Sequence, residues 1–255
     1  MAILAGQHAF ITGGGSGIGL ACAAALHADG AHITIAGRTE EKLRSAAATL
    51  NNNVDYLVAD IGDEQAIAAA IDRANSKMPL TIAIANAGTG SAGPFLSTQR
   101  SEWQRVLDTN LNGTFYTFKH AGQALAANGG GAMCAISSIA GVRTHQMMSA
   151  YCVSKAAIDM LVKNTADELG AMNIRVNSVG PGLVETELSQ GLHEHAAMRE
   201  DYLSCMPLAR TGRAEDIGQA IRFLCGPESS WITGAVLPVD GGHHLRRGPN
   251  LAVMM

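Results

Sequence analysis

A chain of 255 residues, 47% hydrophobic and 16% charged, is long enough to bury a continuous core and reads as one domain over 1–255. Its net charge of −4 lacks the basic excess of a nucleic-acid binder, which excludes that class of partner. No run reaches the roughly 20 apolar residues of a membrane span, and no basic-flanked apolar leader precedes the first strand; Cys22, Cys134, Cys152, Cys205 and Cys225 lack C-x-x-C spacing, so a cytoplasmic protein with reduced thiols and no metal is expected.

Strand-length apolar runs alternate with alanine-rich segments of helical length from the start of the chain. Residues 8–12 read as a strand, 17–28 as a helix, 31–36 as a second strand and 40–50 as a second helix. Further strands are expected at 56–58, 81–86, 132–136, 174–179 and 235–239, with helical patterns between most of them. Serial βαβ units imply an α/β fold, a doubly wound parallel sheet of Rossmann type with helices on both faces. Ligands in such sheets bind beyond the carboxyl ends of the strands, where strand order reverses, so functional residues should follow strands directly. From 241 onward the chain reads as an irregular end, with His243, His244, Arg246 and Arg247 expected to be solvated.

The run Thr12-Gly13-Gly14-Gly15-Ser16-Gly17-Ile18-Gly19 ends an apolar strand and opens a helix. Glycines there let the backbone approach a pyrophosphate, and free N–H groups at the helix start supply positive charge to it. A dinucleotide is implied. About twenty residues later the second strand ends in Gly37-Arg38-Thr39. An acid at the first of these would bond the adenosine ribose and repel a 2′-phosphate, whereas an arginine pairs with that phosphate. With Gly37 in the acid's place and Arg38 following, NADP(H) is favoured over NAD(H).

Tyr151-Cys152-Val153-Ser154-Lys155 places a phenol and an ammonium four residues apart, on one helical face. A phenol titrates near ~10 unaided, and an adjacent cation stabilises its phenolate, making it an acid or base usable near neutrality. Ser138 lies thirteen residues before the tyrosine. Its neighbour Ser137 competes for the same role, but adjacent strand residues face opposite sides, so only one of the two can face the cleft.

Together these motifs resemble the short-chain dehydrogenase/reductase family, in its single-domain branch of about this length, over nearly the whole chain. Gly13 to Gly19 match its glycine turn, Asp60 and Ile61 its adenine-side acidic position, and Asn86, Ala87 and Gly88 its N-A-G element. Ala85 departs from the pattern, standing where many relatives have another asparagine. The resemblance implies a catalytic tetrad of Asn110, Ser138, Tyr151 and Lys155, with cofactor contacts from Gly13, Ser16, Gly17, Ile18, Gly19, Arg38, Asp60, Ile61, Asn86, Ala87, Gly88, Tyr151, Lys155, Pro181, Gly182, Val184 and Thr186. Tyr151 then exchanges a proton with the substrate oxygen, Lys155 also bonds the nicotinamide ribose, Ser138 orients the carbonyl, and Asn110 holds a water linking Lys155 to solvent.

The implied activity is NAD(P)-dependent interconversion of a ketone or aldehyde and an alcohol, in a homotetramer. A 3-oxoacyl or enoyl thioester reductase, a steroid or polyol dehydrogenase, a non-catalytic dinucleotide-sensing regulator and a nucleotide-sugar epimerase are the alternatives. Substrate contacts are expected from 89–96, 142–149 and a lid over about 187–206. Phe95, Val142, Met147, Met148, Leu188, Leu192, Met198 and Tyr202 suit a medium-sized, mostly apolar small molecule, with His145, His193 and His195 as polar options. The i, i+2 spacing of His193 and His195 gives no zinc-like face on a helix.

Overall fold

The computed structural model describes residues 2–50 and 54–246. Strand β1 (His8–Thr12) is buried along its whole length, and its alternate side chains serve two separate cores. Ala9 and Ile11 enter one; Phe10 enters the other. The same division recurs in β2 (His32–Gly37), where Ile33 and Ile35 oppose Ala36, and in β4 (Ile82–Ala85), where Ile82 and Ile84 oppose Ala83 and Ala85. A period-two pattern with both phases apolar is what a sheet covered on both faces requires.

The remaining strands are β3 (Val54–Val58), β5 (Gly131–Ile136), β6 (Ile174–Pro181) and β7 (Val236–Val239). All seven pair in parallel in the order β3-β2-β1-β4-β5-β6-β7. Strand order therefore reverses between β1 and β4, the crevice where such sheets take ligands.

Helices α1 (Gly17–Ala28), α2 (Glu40–Thr49) and α9 (Ala214–Cys225) cover the first face. Helices α3 (Glu64–Lys77), α5 (Gly113–Ala127) and α6 (Ser149–Leu169) cover the second. On the first face α1 and α9 pack closely, since a Cβ on Gly218 would stand 2.6 Å from Ala21 O. The short α4 (Arg100–Leu107) leads through a π-helical turn, Asp108–Asn112, into α5. Helices α7 (Gln190–Glu194) and α8 (Ala196–Cys205) follow β6 within the expected lid segment. No helix among the described residues is long and apolar enough to cross a membrane.

Buried polar groups in the sheet are paired. His8, fully buried, reaches Met78 O through Nδ1 at 2.8 Å and Thr34 Oγ1 through Nε2 at 2.9 Å. The end of the chain differs from the irregular, solvated tail expected of it. His243–Leu245 form a 3₁₀ turn in which His243 is buried and His244 bonds the Asp240 carboxylate at 2.9 Å. Arg143 donates to His244 O, and Arg246 donates to Ser204 O at 2.8 Å. His243 is thus buried and His244 anchored by Asp240, while Arg246 remains exposed, as expected. Arg247 lies outside the described residues.

Candidate active site

The glycine turn is built for close approach. Gly13 (φ +67°) and Gly17 (φ +52°) occupy the left-handed region that side chains avoid. A Cβ on Gly13 would stand 2.7 Å from Asn86 Nδ2, and one on Gly19 would overlap Gly13 O. Asn86 holds this arrangement: its Nδ2 donates to Thr12 O at 2.9 Å and to Gly13 O at 3.1 Å, while its N–H donates to Thr12 Oγ1 at 3.0 Å. Ser16, at the N-cap of α1, makes no side-chain capping bond, and the first turn holds no acidic residue. The N–H groups of that turn remain available to an anion.

From this turn a cleft of about 620 Å³ runs along the carboxyl ends of β1 to β6. Gly13, Ser16, Gly17, Ile18, Arg38, Asp60, Ile61, Asn86, Ala87, Gly88, Ser138, Tyr151, Lys155, Pro181, Gly182, Val184 and Thr186 all line it. Two of the expected contacts do not. Gly19 is buried beneath the turn, where its missing side chain serves packing, and Asn110 lies fully buried behind the cleft wall. At the adenine end Gly37, exposed Arg38 and Thr39 are joined by Lys42, which sequence reasoning missed although it stands one turn after Arg38 on α2. Lys42 Nζ pairs with Glu187 Oε2 at 2.5 Å across the cleft mouth.

At the other end α6 carries Tyr151 and Lys155 on one face, with the ammonium 5.6 Å from the phenol ring centroid. Lys155 is 4% exposed, and its Nζ donates to Ile136 O at 2.8 Å. Burial pushes this lysine down to about 8, an effect opposed by Asp159. Burial also raises the Tyr151 phenol, which the Ser138 hydroxyl partly offsets. Lys155 is not among the groups that shift the phenol here: its ammonium lies over the ring and donates to a backbone carbonyl.

The two serines divide. Ser137 is buried and donates to Lys155 O at 3.2 Å. Ser138 faces the cleft, its Oγ accepting the Ala140 N–H at 3.1 Å, which leaves its own proton for a group in the cleft. Asn110 occupies the π-helical turn before α5. Its Nδ2 donates to Thr89 O at 2.9 Å and Ser154 Oγ at 3.0 Å, and its Oδ1 accepts Thr89 N–H at 2.7 Å. Asn110 thereby ties the strand-β4 loop to α6 one residue before Lys155.

Among the expected substrate contacts His145, Met148, Leu188, Leu192 and Tyr202 line the cleft, whereas Phe95, Val142, Met147 and Met198 are exposed away from it. His145, Tyr202 and His243 form a ring cluster with centroids 5.8 to 6.0 Å apart. His195 caps α8, its Nδ1 accepting Met198 N–H at 3.4 Å; the His193 side chain lies outside the described set.

The family model described as enoyl-(acyl carrier protein) reductase matches residues 13–244. Galactitol 2-dehydrogenase (L-tagatose-forming) of Cereibacter sphaeroides is 35% identical over 243 residues, 94% of this chain and 96% of the relative. The chain belongs to the short-chain dehydrogenase/reductase family. A short-chain dehydrogenase/reductase from Mycobacterium ulcerans superposes with a TM-score of 0.92 at 40% identity, covering 98% of this chain and 94% of the other. A gluconate 5-dehydrogenase from Burkholderia cenocepacia, solved in complex with NADP and tartrate, superposes with a TM-score of 0.93 at 30% identity, over 96% and 98% of the chains. As a member of this family the protein is an oxidoreductase of the alcohol–carbonyl couple that uses a nicotinamide dinucleotide.

Proposed function

We propose that this oxidoreductase prefers NADP(H) and works through Tyr151 as general acid and base, with Ser138, Lys155 and Asn110 completing the site in a single catalytic domain. The observation that carries this reading is the convergence of the Tyr151 phenol, the Ser138 hydroxyl and a buried ammonium at the end of a cleft that begins at an uncapped helix N-terminus. The residues present fit a dinucleotide: a side chain at Gly13 would collide with Asn86, and beside this bare turn stand the uncapped N–H groups of α1 that a phosphate can approach. When bound, the nicotinamide supplies or accepts the hydride.

The chain's own residues do the rest. Tyr151 holds the proton that the carbonyl oxygen takes up on reduction and recovers it on oxidation. Ser138 aims its hydroxyl proton at the same oxygen, a preorganised donor where negative charge develops. Lys155, buried and cationic, stabilises the phenolate left behind and reaches the ribose hydroxyls beside it. Asn110 fixes the loop and helix turn that flank this lysine. At the adenine end Arg38, with Lys42 and Thr39 beside it and no acid at Gly37, supports pairing with a 2′-phosphate. Glu187 to Met206 form the lid, joined to that end by the Lys42–Glu187 pair. The reading extends to a small-molecule substrate, a homotetramer, and a reducing, cytoplasmic setting for the five free cysteines.

A panel of alcohols and carbonyls followed by NADPH absorbance tests the activity. Turnover of at least one ketone or secondary alcohol is expected, and turnover of none would reject the reading. The family model's own description favours a second reading, reduction of an acyl thioester. Faster NADPH consumption with acetoacetyl thioesters than with any free ketone would select it.

A further inference from the structure

Beneath the cleft floor lies a carboxylate that hydride transfer does not use. Asp159 stands on α6 one turn beyond Lys155, and the two are 6% and 4% exposed. Its Oδ1 accepts from Ser178 Oγ at 3.1 Å, while its Oδ2, equally buried, has no hydrogen-bond partner among the described residues. That free oxygen faces the turn after Ser138, where a Cβ on Gly141 would stand 2.8 Å from it. On the other side of Lys155, the Ser137 hydroxyl donates to Lys155 O at 3.2 Å.

A buried carboxylate with an unmet oxygen destabilises a fold unless a cation compensates it, so a hydrophobic residue would be the more stable choice here. The charged and polar groups around Asp159 are Ser178 of β6, which bonds it, Ser137 after β5, and Lys155 and the exposed Lys163 one turn away on either side along α6. Those facing Lys155 are Tyr151 and Asp159 from its own helix and Ile136 O from β5, with Asn110 Oδ1 nearby beside Gly88. Burial raises the Asp159 carboxyl and the lysines oppose it, while Asp159 in turn opposes the depression of Lys155.

We propose that Asp159 is a positioning residue for the reaction: its carboxylate, held to β6 by Ser178 and buried one helical turn beyond Lys155, keeps the Lys155 ammonium charged in a dry pocket. The proposal rests on the role given to Lys155 above, yet its test needs neither substrate nor turnover. The chain has only five lysines, so the Lys155 side-chain carbon signal in protein labelled with ¹³C-lysine can be assigned by its loss in K155R and titrated directly. In D159N the Lys155 midpoint is expected to fall by about one pH unit, roughly a tenfold loss of ammonium at a fixed alkaline pH. D159E should restore it. D159S removes the same charge with less bulk and should match D159N if the amide disturbs folding. A wild-type midpoint in the folded D159N or D159S protein, or an equal fall in D159E, would overturn the proposal. Absence of dehydrogenase activity in the wild-type protein would instead count against the function, leaving this electrostatic result intact.

Discussion

Arg38 is the side chain on which cofactor choice is expected to turn. An exposed guanidinium at the rim, beside Lys42 and Thr39, can form charge-assisted bonds to a 2′-phosphate but has no comparable partner on an unphosphorylated ribose. R38A should weaken NADPH binding by about 1.5–3 kcal/mol, the worth of such a bond, and leave NADH binding nearly unchanged; fluorescence titration with both cofactors measures the difference, and equal losses would remove Arg38 from the choice. Tyr151 gives a prediction in pH. Burial raises its phenol, so the proton-donor form persists through neutrality and oxidation, which needs phenolate, should accelerate toward alkaline pH. The Ser138 hydroxyl acts in the opposite sense, so S138A should displace that rise to still higher pH as well as slow it; a pH–rate profile of alcohol oxidation that keeps its wild-type midpoint in S138A would contradict that influence. Tyr151, Ser138, Lys155 and Arg38 were legible because each lies in a spaced motif. Lys42 and Asp159 were not, because one is an ordinary surface residue of an amphipathic helix and the other matters only through the strand and turn packed over it.

At the level of elements, stability is expected to depend on places where backbone or neutral polar groups are buried against one another. A methyl group on Gly218 would meet the α1 backbone at Ala21 O, so G218A should separate α1 from α9 and cost about 1–3 kcal/mol, measured by chemical denaturation. His8 is held neutral in β1, its pKa lowered by burial from 6.5. Its folded form therefore resists a proton that the unfolded chain accepts, so stability is full above about 6.5 and is lost as the pH falls through the lower folded-state value. Urea unfolding at pH 7 and pH 5 should show this loss, and H8Q should flatten it. The strands and long helices were readable from their period because both sheet faces are covered. The π-helical turn at Asp108–Asn112 was not, since an inserted residue leaves no mark in the hydrophobic period and only its side-chain bonds to Thr89 and Ser154 give it purpose.

For the whole molecule, topology does most of the positioning. The β3-β2-β1-β4-β5-β6-β7 order sets the glycine turn after β1 beside Asn86 after β4, and puts Ser138 after β5 and Pro181 at the end of β6 on the same edge, so one cleft collects residues more than 160 positions apart in the chain. Substrate identity was the least legible feature: four of the eight apolar residues expected there point elsewhere, because loop side chains follow no period. The central claim, that Tyr151 carries the proton while the rest of the cleft holds the cofactor, is tested most directly by comparing Y151F with the wild type in two assays on one preparation. NADPH affinity by fluorescence should stay within about twofold, while single-turnover hydride transfer should fall by about 10²–10⁴, the usual contribution of a positioned acid. Hydride transfer at the wild-type rate in Y151F, with NADPH bound as tightly, would contradict the account.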